Sequence, residues 1–312
     1  MRNGSRNPHN RSMIRPHARL AAAAAALLFL FVACTDSPPA RAVDAVHDDF
    51  GDTVALDPQH RPVRIVSLNP TTTEILFAIG AGDRVVGRST YDVFPSAAKA
   101  VVDVGMPLRP NIEAVLAVHP DVALLYASQD NRSAAQRFRQ AGVRTLSLKI
   151  DSIAQFERDT RLIGRLTGDS AAAATLVDSV SATLEHVRAA TKGLPHPTVF
   201  IPTWNRPLIA IGGGSFLSEL LDIAGARNIY ADVAAPSATV TLEDVAKRNP
   251  DFIMTSPNAG PKIDADAKWH AIPAVRQNHV LVYDTLIVGR PSVTLGAAAR
   301  SLADLLHPGA VR

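Results

Sequence analysis

The chain has 312 residues, of which 47% are hydrophobic and 20% are charged, a composition typical of a globular protein. Its formal net charge of +3 includes five arginines in the first 33 residues, so the rest of the chain carries −2. Beyond those arginines no lysine/arginine cluster is interleaved with aromatics, which excludes a nucleic-acid binder.

The first 33 residues have the pattern of an export signal. Five arginines and no acidic residue precede an uncharged apolar run from Ala21 to Ala33, which is shorter than the roughly 20 residues that a membrane-spanning helix needs. The only cysteine, Cys34, follows Phe31-Val32-Ala33, a sequence that resembles the lipobox of bacterial lipoproteins, whose cysteine is acylated. We therefore expect a lipid-anchored protein on the periplasmic side of the cell envelope, with residues 34–60 as a flexible tether that includes an edge strand at 53–56.

Strands and helices alternate from residue 61 to residue 150, which predicts a lobe built on a mainly parallel sheet covered on both faces. The expected strands are 64–68, 85–87, 122–126 and 143–148, and the expected helices are 71–79, 111–118 and 132–141. In the first of these helices Thr71 and Glu74 have the spacing of a capping box, which gives Glu74 a local structural role. The segment from Tyr91 to Pro107 is expected to be a loop.

Residues 151–192 change to a long helical period, with Gly168 as a potential break. A helix of roughly 40 residues rises about 60 Å, so this segment is expected to be one long, stiff connector. A second lobe then occupies residues 193–312, with strands expected at 198–201, 208–211, 252–255 and 280–283 and a last helix at 292–306. The predicted class is α/β, with two similar lobes joined by one long rigid helix.

Two repeats support the similarity of the lobes. Three residues recur 130 positions later, namely Glu113, Pro120 and Asp121 as Glu243, Pro250 and Asp251. Glu74, Leu76 and Gly80-Ala81 recur 145 positions later as Glu219, Leu221 and Gly225-Ala226. A carboxylate in the first turn of a helix gains about 0.3–1 kcal/mol from the helix dipole, which explains why each helix has one acid there. It does not explain why the glutamate, proline and aspartate all repeat at the same offset. We expect Glu113 and Glu243 to dock a two-fold partner.

Side chains in the loops after the strands are the candidate ligand contacts, because α/β sheets present ligands there. The aromatic candidates are Tyr91, Tyr126, Trp204 and Trp269, and the cationic candidates are Arg206 and Arg290. The run Gly212-Gly213-Gly214-Ser215 could cradle an anion, but it is better interpreted as a tight turn. Nucleophile, zinc and nucleotide-loop motifs are absent from the sequence, so no catalytic residue, metal site or cofactor is expected.

Residues 64–307 resemble the helical-backbone class of periplasmic binding proteins, which serve ABC importers of cobalamin, ferric siderophores and haem. The matching stretches are RIVSLNPTTTEILFAIGAGDRVVGRSTYDVFP, NIEAVLAVHPDVALLY and GGGSFLSELLDIAGARNIYAD followed by TLEDVAKRNPD. Tyr91 and Tyr126 make the chain most similar to the cobalamin-type members. Those members often carry tryptophan where this chain has Met106-Pro107 and Pro236-Ser237-Ala238, so Met106 joins the candidate ligand contacts.

The resemblance implies that the lobes close on a metal chelate and that Glu113 and Glu243 meet arginines of a dimeric permease, which works with its ATPase. The expected function is capture of cobalamin by a monomeric, non-enzymatic receptor. A ferric siderophore or haem is the alternative within the class. An α/β enzyme and a structural or adhesive lipoprotein are the alternatives from other classes.

Overall fold

The computed structural model describes residues 44–257, 260–263 and 266–311. The predicted signal and Cys34 lie outside these ranges. Within them, no helix is both long and apolar enough to cross a membrane.

The described chain begins with an antiparallel hairpin of β1 (Asp44–His47) and β2 (Thr53–Leu56). The carboxylate of Asp48 accepts hydrogen bonds from the amides of Phe50, Asp52 and Ser147, which fixes the hairpin turn to the first lobe. The edge strand at 53–56 is confirmed. The prediction of a flexible tether over 34–60 is wrong for 44–56, because buried Val54 and Leu56 give the hairpin an apolar face that packs into the core.

The first lobe contains one four-stranded parallel sheet, as predicted. Its strands are β3 (Ile65–Leu68), β4 (Val85–Arg88), β5 (Val122–Tyr126) and β6 (Arg144–Leu148), in the order β4-β3-β5-β6. Its helices are α1 (Pro70–Ala78), α2 (Ile112–Ala117) and α3 (Arg132–Gln140). All four residues of β3 are buried, which explains why this strand is a continuous apolar run with a single serine.

The linking segment is a helical hairpin, so the prediction of one 40-residue helix is wrong. α4 (Ile153–Thr167) and α5 (Ser170–Thr191) are separated by Gly168 and Asp169. The φ of +85° at Gly168 ends α4 in the left-handed conformation that glycine tolerates. The two helices run antiparallel, because Ser181 donates to Glu157 at 2.7 Å and Arg161 pairs with Asp178 at 3.1 Å. The connector is therefore α5 alone, whose 22 residues span about 33 Å.

The second lobe contains the strands β7 (Thr198–Phe200), β8 (Pro202–Asn205), β9 (Leu208–Ile211), β10 (Arg227–Asn228), β11 (Ser237–Thr239), β12 (Phe252–Thr255) and β13 (Val280–Val282). β10-β7-β12-β13 form a parallel sheet, and β11-β9-β8 form a separate antiparallel sheet that was not predicted. The helices are α6 (Phe216–Ile223), α7 (Leu242–Arg248), α8 (Pro273–Arg276), α9 (Thr285–Val288) and α10 (Leu295–Leu306). The four strands predicted for this lobe are all present, and their ends differ from the predicted ends by at most one residue.

The 130-residue repeat is a structural repeat. Asp121, before β5, accepts hydrogen bonds from the amides of Val63 and Arg64 at the start of β3. Asp251, before β12, accepts hydrogen bonds from the amide and hydroxyl of Thr198 at the start of β7. Each aspartate therefore fastens the beginning of the neighbouring strand, and the two parallel sheets share one strand order.

One apolar core runs through both lobes. It includes Ile65 and Leu124 of the first sheet, Phe156 of α4, Leu184 of α5 and Leu302 of α10. Separate clusters cover the other face of each sheet. The lobes are thus joined by packed side chains along the helical hairpin, as the predicted two-lobe class requires.

Candidate ligand-binding site

Three predicted ligand contacts lie in loops at the carboxyl ends of the first lobe's strands. Tyr91 and Met106 belong to the long loop after β4, and their side chains are 56% and 45% exposed. Tyr126 is the last residue of β5 and is half-buried. The carboxyl edge of a parallel sheet is where α/β proteins bind ligands, so these positions suit a binding surface.

One backbone hydrogen bond and two bonds from the side chain of Asn131 bring the segments that carry these three residues together. The amide of Thr90 donates to the carbonyl of Gly105 at 2.8 Å. Tyr91 follows Thr90 and Met106 follows Gly105, so this bond brings the two ends of the loop that carry them side by side. The buried side chain of Asn131 donates to the carbonyls of both Pro107 and Tyr126 at 3.0 Å. Asn131 was not predicted from the sequence, because a single asparagine before a helix carries no signal of such a long-range role.

A buried carboxylate holds the Tyr91 loop on α1. Asp92 is fully buried and accepts hydrogen bonds from the amide and hydroxyl of Ser89 and from Thr73 Oγ1, the last at 2.6 Å. Burial raises the pKa of Asp92, while the hydrogen bonds from Ser89 and Thr73 oppose that shift. The exposed Tyr91 ring is thus carried on a rigid support.

The hydroxyl of Tyr126 is engaged within the protein. It donates to the carboxylate of Asp151, 2.8 and 3.0 Å from the two oxygens. Burial and this carboxylate both raise the pKa of Tyr126, so the phenol stays neutral. Tyr126 therefore offers a ligand its ring rather than a phenolate.

Trp204 and Arg206 lie on the β8–β9 hairpin of the second lobe. Trp204 is 60% exposed, and its Nε1 donates to the carbonyl of Arg206 at 3.1 Å, which holds the indole against the turn. The Arg206 side chain is exposed and bonds to no described residue. Among the described residues no hydrogen bond or ion pair connects this hairpin to Tyr91, Met106 or Tyr126, so Trp204 and Arg206 form a separate part of the candidate site.

Arg290 makes an ion pair with Glu74 of the other lobe, and this pair overturns the predicted capping box. The cap of α1 is Asn69, whose side chain accepts from the amide of Thr71 at 3.0 Å. Glu74 is 1% exposed, and its Oε1 accepts from Nε of Arg290 at 2.9 Å and from Nη2. Local spacing could not predict this role, because the partner lies 216 residues away.

Exposed apolar side chains accumulate on the loops of the candidate site. In the first lobe they follow β4, and in the second lobe they lie on the β8–β9 hairpin and on α9. Those that are at least 37% exposed are Tyr91, Val93, Phe94, Val102, Met106, Leu108, Trp204 and Leu286. A surface of this kind on a folded protein usually contacts a partner or ligand.

Two other sequence features proved structural. Trp269 is 1% exposed and packs against Phe200 with ring centroids 6.2 Å apart, so its prediction as a ligand contact is wrong. The amides of Gly212, Gly213 and Gly214 all donate to backbone carbonyls of the 233–236 segment, so they are not free to bind an anion.

Glu113 and Glu243 occupy equivalent positions on the two lobes. Each lies in the first turn of its helix, after the cap residues Asn111 and Thr241. Both side chains are exposed and neither bonds to a described residue. The neighbouring Asp244, by contrast, accepts from Tyr230 at 2.8 Å and from Arg248 at 3.2 Å. Glu243 is therefore the acid of this turn that remains available to a partner.

A surface pocket of 590 Å³ lies at the opposite edge of the second lobe. It is lined by residues that precede the strands β7, β12 and β13, including Pro197, Asp251 and His279. Asp251 is already bonded to Thr198, which lowers its pKa. The pocket is separate from the loops of the candidate site.

In the described ranges no group of three or more histidine, cysteine or acidic residues could hold a metal ion.

Comparison with known proteins identifies relatives over most of the chain. The periplasmic binding protein family model matches residues 65–285. An uncharacterised ABC transporter substrate-binding lipoprotein of Bacillus subtilis is 31% identical over 79% of this chain and 81% of its own length. A vitamin B12-binding protein of Vibrio parahaemolyticus is 26% identical over 73% of this chain and 84% of its own length.

Solved structures share the fold. The periplasmic vitamin B12-binding protein of Vibrio cholerae aligns with a TM-score of 0.68 at 23% identity, over 79% of this chain and 97% of that chain. The periplasmic haem-binding protein of Roseiflexus in its apo form aligns with a TM-score of 0.71 at 22% identity, over 79% and 98%. These likenesses confirm the predicted class of fold.

The family model covers more than half of the chain, and the Bacillus relative exceeds 30% identity over most of both sequences. The predictions of a substrate-binding component of an ABC importer and of a non-enzymatic protein are thereby confirmed. The chain belongs to the periplasmic binding protein family.

Proposed function

We propose that this protein captures cobalamin between its two lobes and delivers it to an ABC permease. The observation that carries the proposal is the set of exposed apolar and aromatic side chains on the carboxyl-edge loops of both lobes, represented by Tyr91, Met106 and Trp204. A large, flat ligand with an apolar ring system gains most from such a surface, because aromatic side chains bury much area at little conformational cost. Relatives of 26–28% identity are cobalamin-binding proteins by name.

The electrostatics of the loops favour cobalamin over a ferric siderophore. An anionic chelate calls for several cations that converge on it. Among the predicted contacts only Arg206 and Arg290 are cationic, and Arg290 is already neutralised by Glu74. Of the predicted contacts, Arg206 is therefore the one cation without an ion pair to a described residue.

Haem is the second candidate, and Tyr91 is the observation that favours it. Its side chain is 56% exposed, and its hydroxyl bonds to no described residue. A free phenol of this kind would serve as an iron ligand. Tyr126 is less suited, because its hydroxyl is bonded to Asp151.

Calorimetric titration tests these alternatives on a soluble form that begins at Thr35. We expect saturable one-to-one binding of cyanocobalamin, and weaker binding after Trp204→Ala or Tyr91→Ala. Hemin and a ferric hydroxamate are titrated in parallel. Binding of hemin that is lost in Tyr91→Phe, with no heat from cyanocobalamin, would replace cobalamin by haem.

The permease-docking role of Glu113 and Glu243 is part of the same proposal. Both carboxylates are exposed, unbonded within the described chain and equivalent in the repeat. A two-fold permease with its ATPase would present the same basic surface twice, and this arrangement suits one acid from each lobe.

Lipid anchoring completes the proposal. We infer that Cys34 is acylated after removal of residues 1–33 and that the anchor holds the protein on the periplasmic side of a membrane. The substitution Cys34→Ser should release the protein from membranes into the soluble fraction. Cell fractionation followed by immunoblotting of each fraction measures this. Retention of Cys34→Ser on membranes would contradict the anchor.

A further inference from the structure

An ion pair between buried Glu74 and partly exposed Arg290 crosses between the lobes. Glu74 lies on α1 of the first lobe, and Arg290 lies between α9 and α10 of the second lobe. One turn of α1 away, Thr71 Oγ1 donates to the carbonyl of Pro291 at 3.1 Å. Two polar contacts therefore join the same turn of α1 to the same short segment of the other lobe. We call these contacts the interlobe bridge.

The interlobe bridge is connected to the candidate site. Thr73, next to Glu74, donates to Asp92, and Asp92 holds the loop that carries Tyr91. The side chain of Arg290 is 25% exposed. The bridge is thus linked to the Tyr91 loop through Thr73 and Asp92, and one of its two charged members reaches solvent.

The hydrogen bonds of the pair are incomplete. Arg290 uses Nε and Nη2 for Glu74, and its Nη1 bonds to no described residue. Oε2 of Glu74 is buried and forms no hydrogen bond of normal geometry in the described chain, although Ser292 is near enough to favour the ionised carboxylate. Burial nevertheless raises the pKa of Glu74. An ion pair in which one partner is buried and one carboxylate oxygen lacks a normal hydrogen bond is weak evidence for a purely stabilising role.

The repeat provides an internal comparison. Glu219 on α6 is the repeat of Glu74 on α1. Each lies six residues before a glycine with positive φ, Gly80 after α1 and Gly225 after α6. Glu219 is exposed and forms no ion pair with a described residue. The repeated helix therefore does not require a buried, paired glutamate, and the pairing is specific to the first lobe.

We propose that Glu74 is a positioning residue: it holds the guanidinium of Arg290 so that Nη1 donates to an oxygen acceptor of the ligand, and it fixes the spacing of the two lobes. The first part rests on the proposed capture of a ligand between the lobes. The second part is independent of the ligand.

The ligand contact is tested with Glu74→Gln, Arg290→Lys, the charge exchange Glu74→Arg/Arg290→Glu and the control Glu219→Gln. Affinity for cyanocobalamin is measured by calorimetry, and the urea midpoint of unfolding is measured on the same samples. Glu74→Gln is expected to weaken binding about tenfold or more, which corresponds to about 1.4 kcal/mol, while Glu219→Gln leaves affinity unchanged.

The charge exchange separates positioning from simple stabilisation. It restores an ion pair between the lobes but moves the guanidinium to the first lobe, so we expect recovery of the urea midpoint without recovery of affinity. Recovery of both would overturn the positioning role. If the exchange variant does not fold, Arg290→Lys decides: it keeps the charge but replaces the planar guanidinium by a single ammonium nitrogen. Wild-type affinity in this variant would likewise overturn the role.

Lobe spacing is measured without a ligand by pulsed electron paramagnetic resonance. A soluble form that begins at Thr35 has no cysteine, so spin labels attach only to cysteines introduced at Gln136 on α3 and Ala297 on α10, both exposed. The distance distribution should broaden in Glu74→Gln and not in Glu219→Gln, and an unchanged distribution would refute the spacing role. If the wild type binds none of cyanocobalamin, hemin and a ferric hydroxamate, the proposed function and the ligand contact both fail, while this distance measurement still decides the spacing.

Discussion

Asp159 illustrates at the residue scale how the fold changes the chemistry of a side chain. It is fully buried on α4, and its two oxygens accept from Nε and Nη2 of Arg158 at 2.6 and 3.0 Å. Arg158 also bonds to Asp49 of the hairpin turn at 2.7 Å. Burial raises the pKa of Asp159 from 3.8 to about 6, because the loss of water outweighs the favourable effect of Arg158.

This shift predicts a pH dependence of stability. Between pH 3.8 and about 6 the folded state holds a proton that the unfolded chain has released, so the contribution of Asp159 is fully present below pH 3.8 and is lost as pH rises through 6. Between pH 4 and pH 7 the free energy of unfolding should fall by about 2–3 kcal/mol less in Asp159→Asn than in the wild type. Urea titrations at a series of pH values measure the difference.

Asp49→Asn is the matched control for that measurement. It also removes a carboxylate that contacts Arg158, but it leaves Asp159 in place. An Asp159→Asn profile that parallels the wild type would contradict the assignment.

At the element scale, the glycine run between β9 and α6 shows a close approach of two backbone segments. A Cβ built on Gly213 would lie 2.3 Å from the carbonyl oxygen of Ala231, and Gly212 and Gly214 have equally short distances to Ala235 and Ala234. The segment after β10 therefore packs directly on this turn. The glycines are needed for space rather than for anion binding.

Gly213→Ala should destabilise the second lobe. The added methyl group would have to displace backbone atoms, which costs about 1–3 kcal/mol of the free energy of unfolding. Gly193→Ala is the control, because its Cβ would meet nothing within 4 Å. Urea denaturation of both variants measures the contrast, and equal midpoints would contradict the close packing.

At the scale of the whole molecule, the two lobes present equivalent acids on a rigid frame. The apolar core passes from one lobe to the other through α4 and α5, and this packing limits how far the lobes can separate. A partner with two matching basic sites would bind both acids at once. Loss of either should weaken the interaction, and loss of both should abolish it.

The double reversal Glu113→Lys/Glu243→Lys should abolish uptake into cells and leave cyanocobalamin affinity unchanged, because both residues lie outside the candidate ligand site. Uptake of labelled cobalamin and calorimetry measure the two effects. Reversal of Asp83 and Asp222, exposed acids of the same two lobes, serves as the charge-matched control. A loss of affinity in Glu113→Lys/Glu243→Lys would contradict a docking role.

The sequence by itself predicted the parallel sheets, the two-lobe class and the positions of Tyr91, Tyr126 and Trp204 in loops or at the ends of strands. These features are encoded locally or by repetition: buried strands are apolar runs, caps and glycines end helices, and the Glu-Pro-Asp repeat preserves one structural unit. The repeated aspartates confirm this, since Asp121 and Asp251 each bond to the start of the neighbouring strand.

The tertiary structure alone decided which side chains meet across long sequence separations. Glu74 satisfied a local capping rule but pairs with Arg290, Trp269 entered the core instead of the ligand site, and the helical segment folded back at Gly168. The short β8 and β11, which contain proline, serine and threonine, gave no strand signal and form by pairing with β9. Local spacing determines local hydrogen bonds, whereas burial and the packing of distant segments determine which of the competing contacts form.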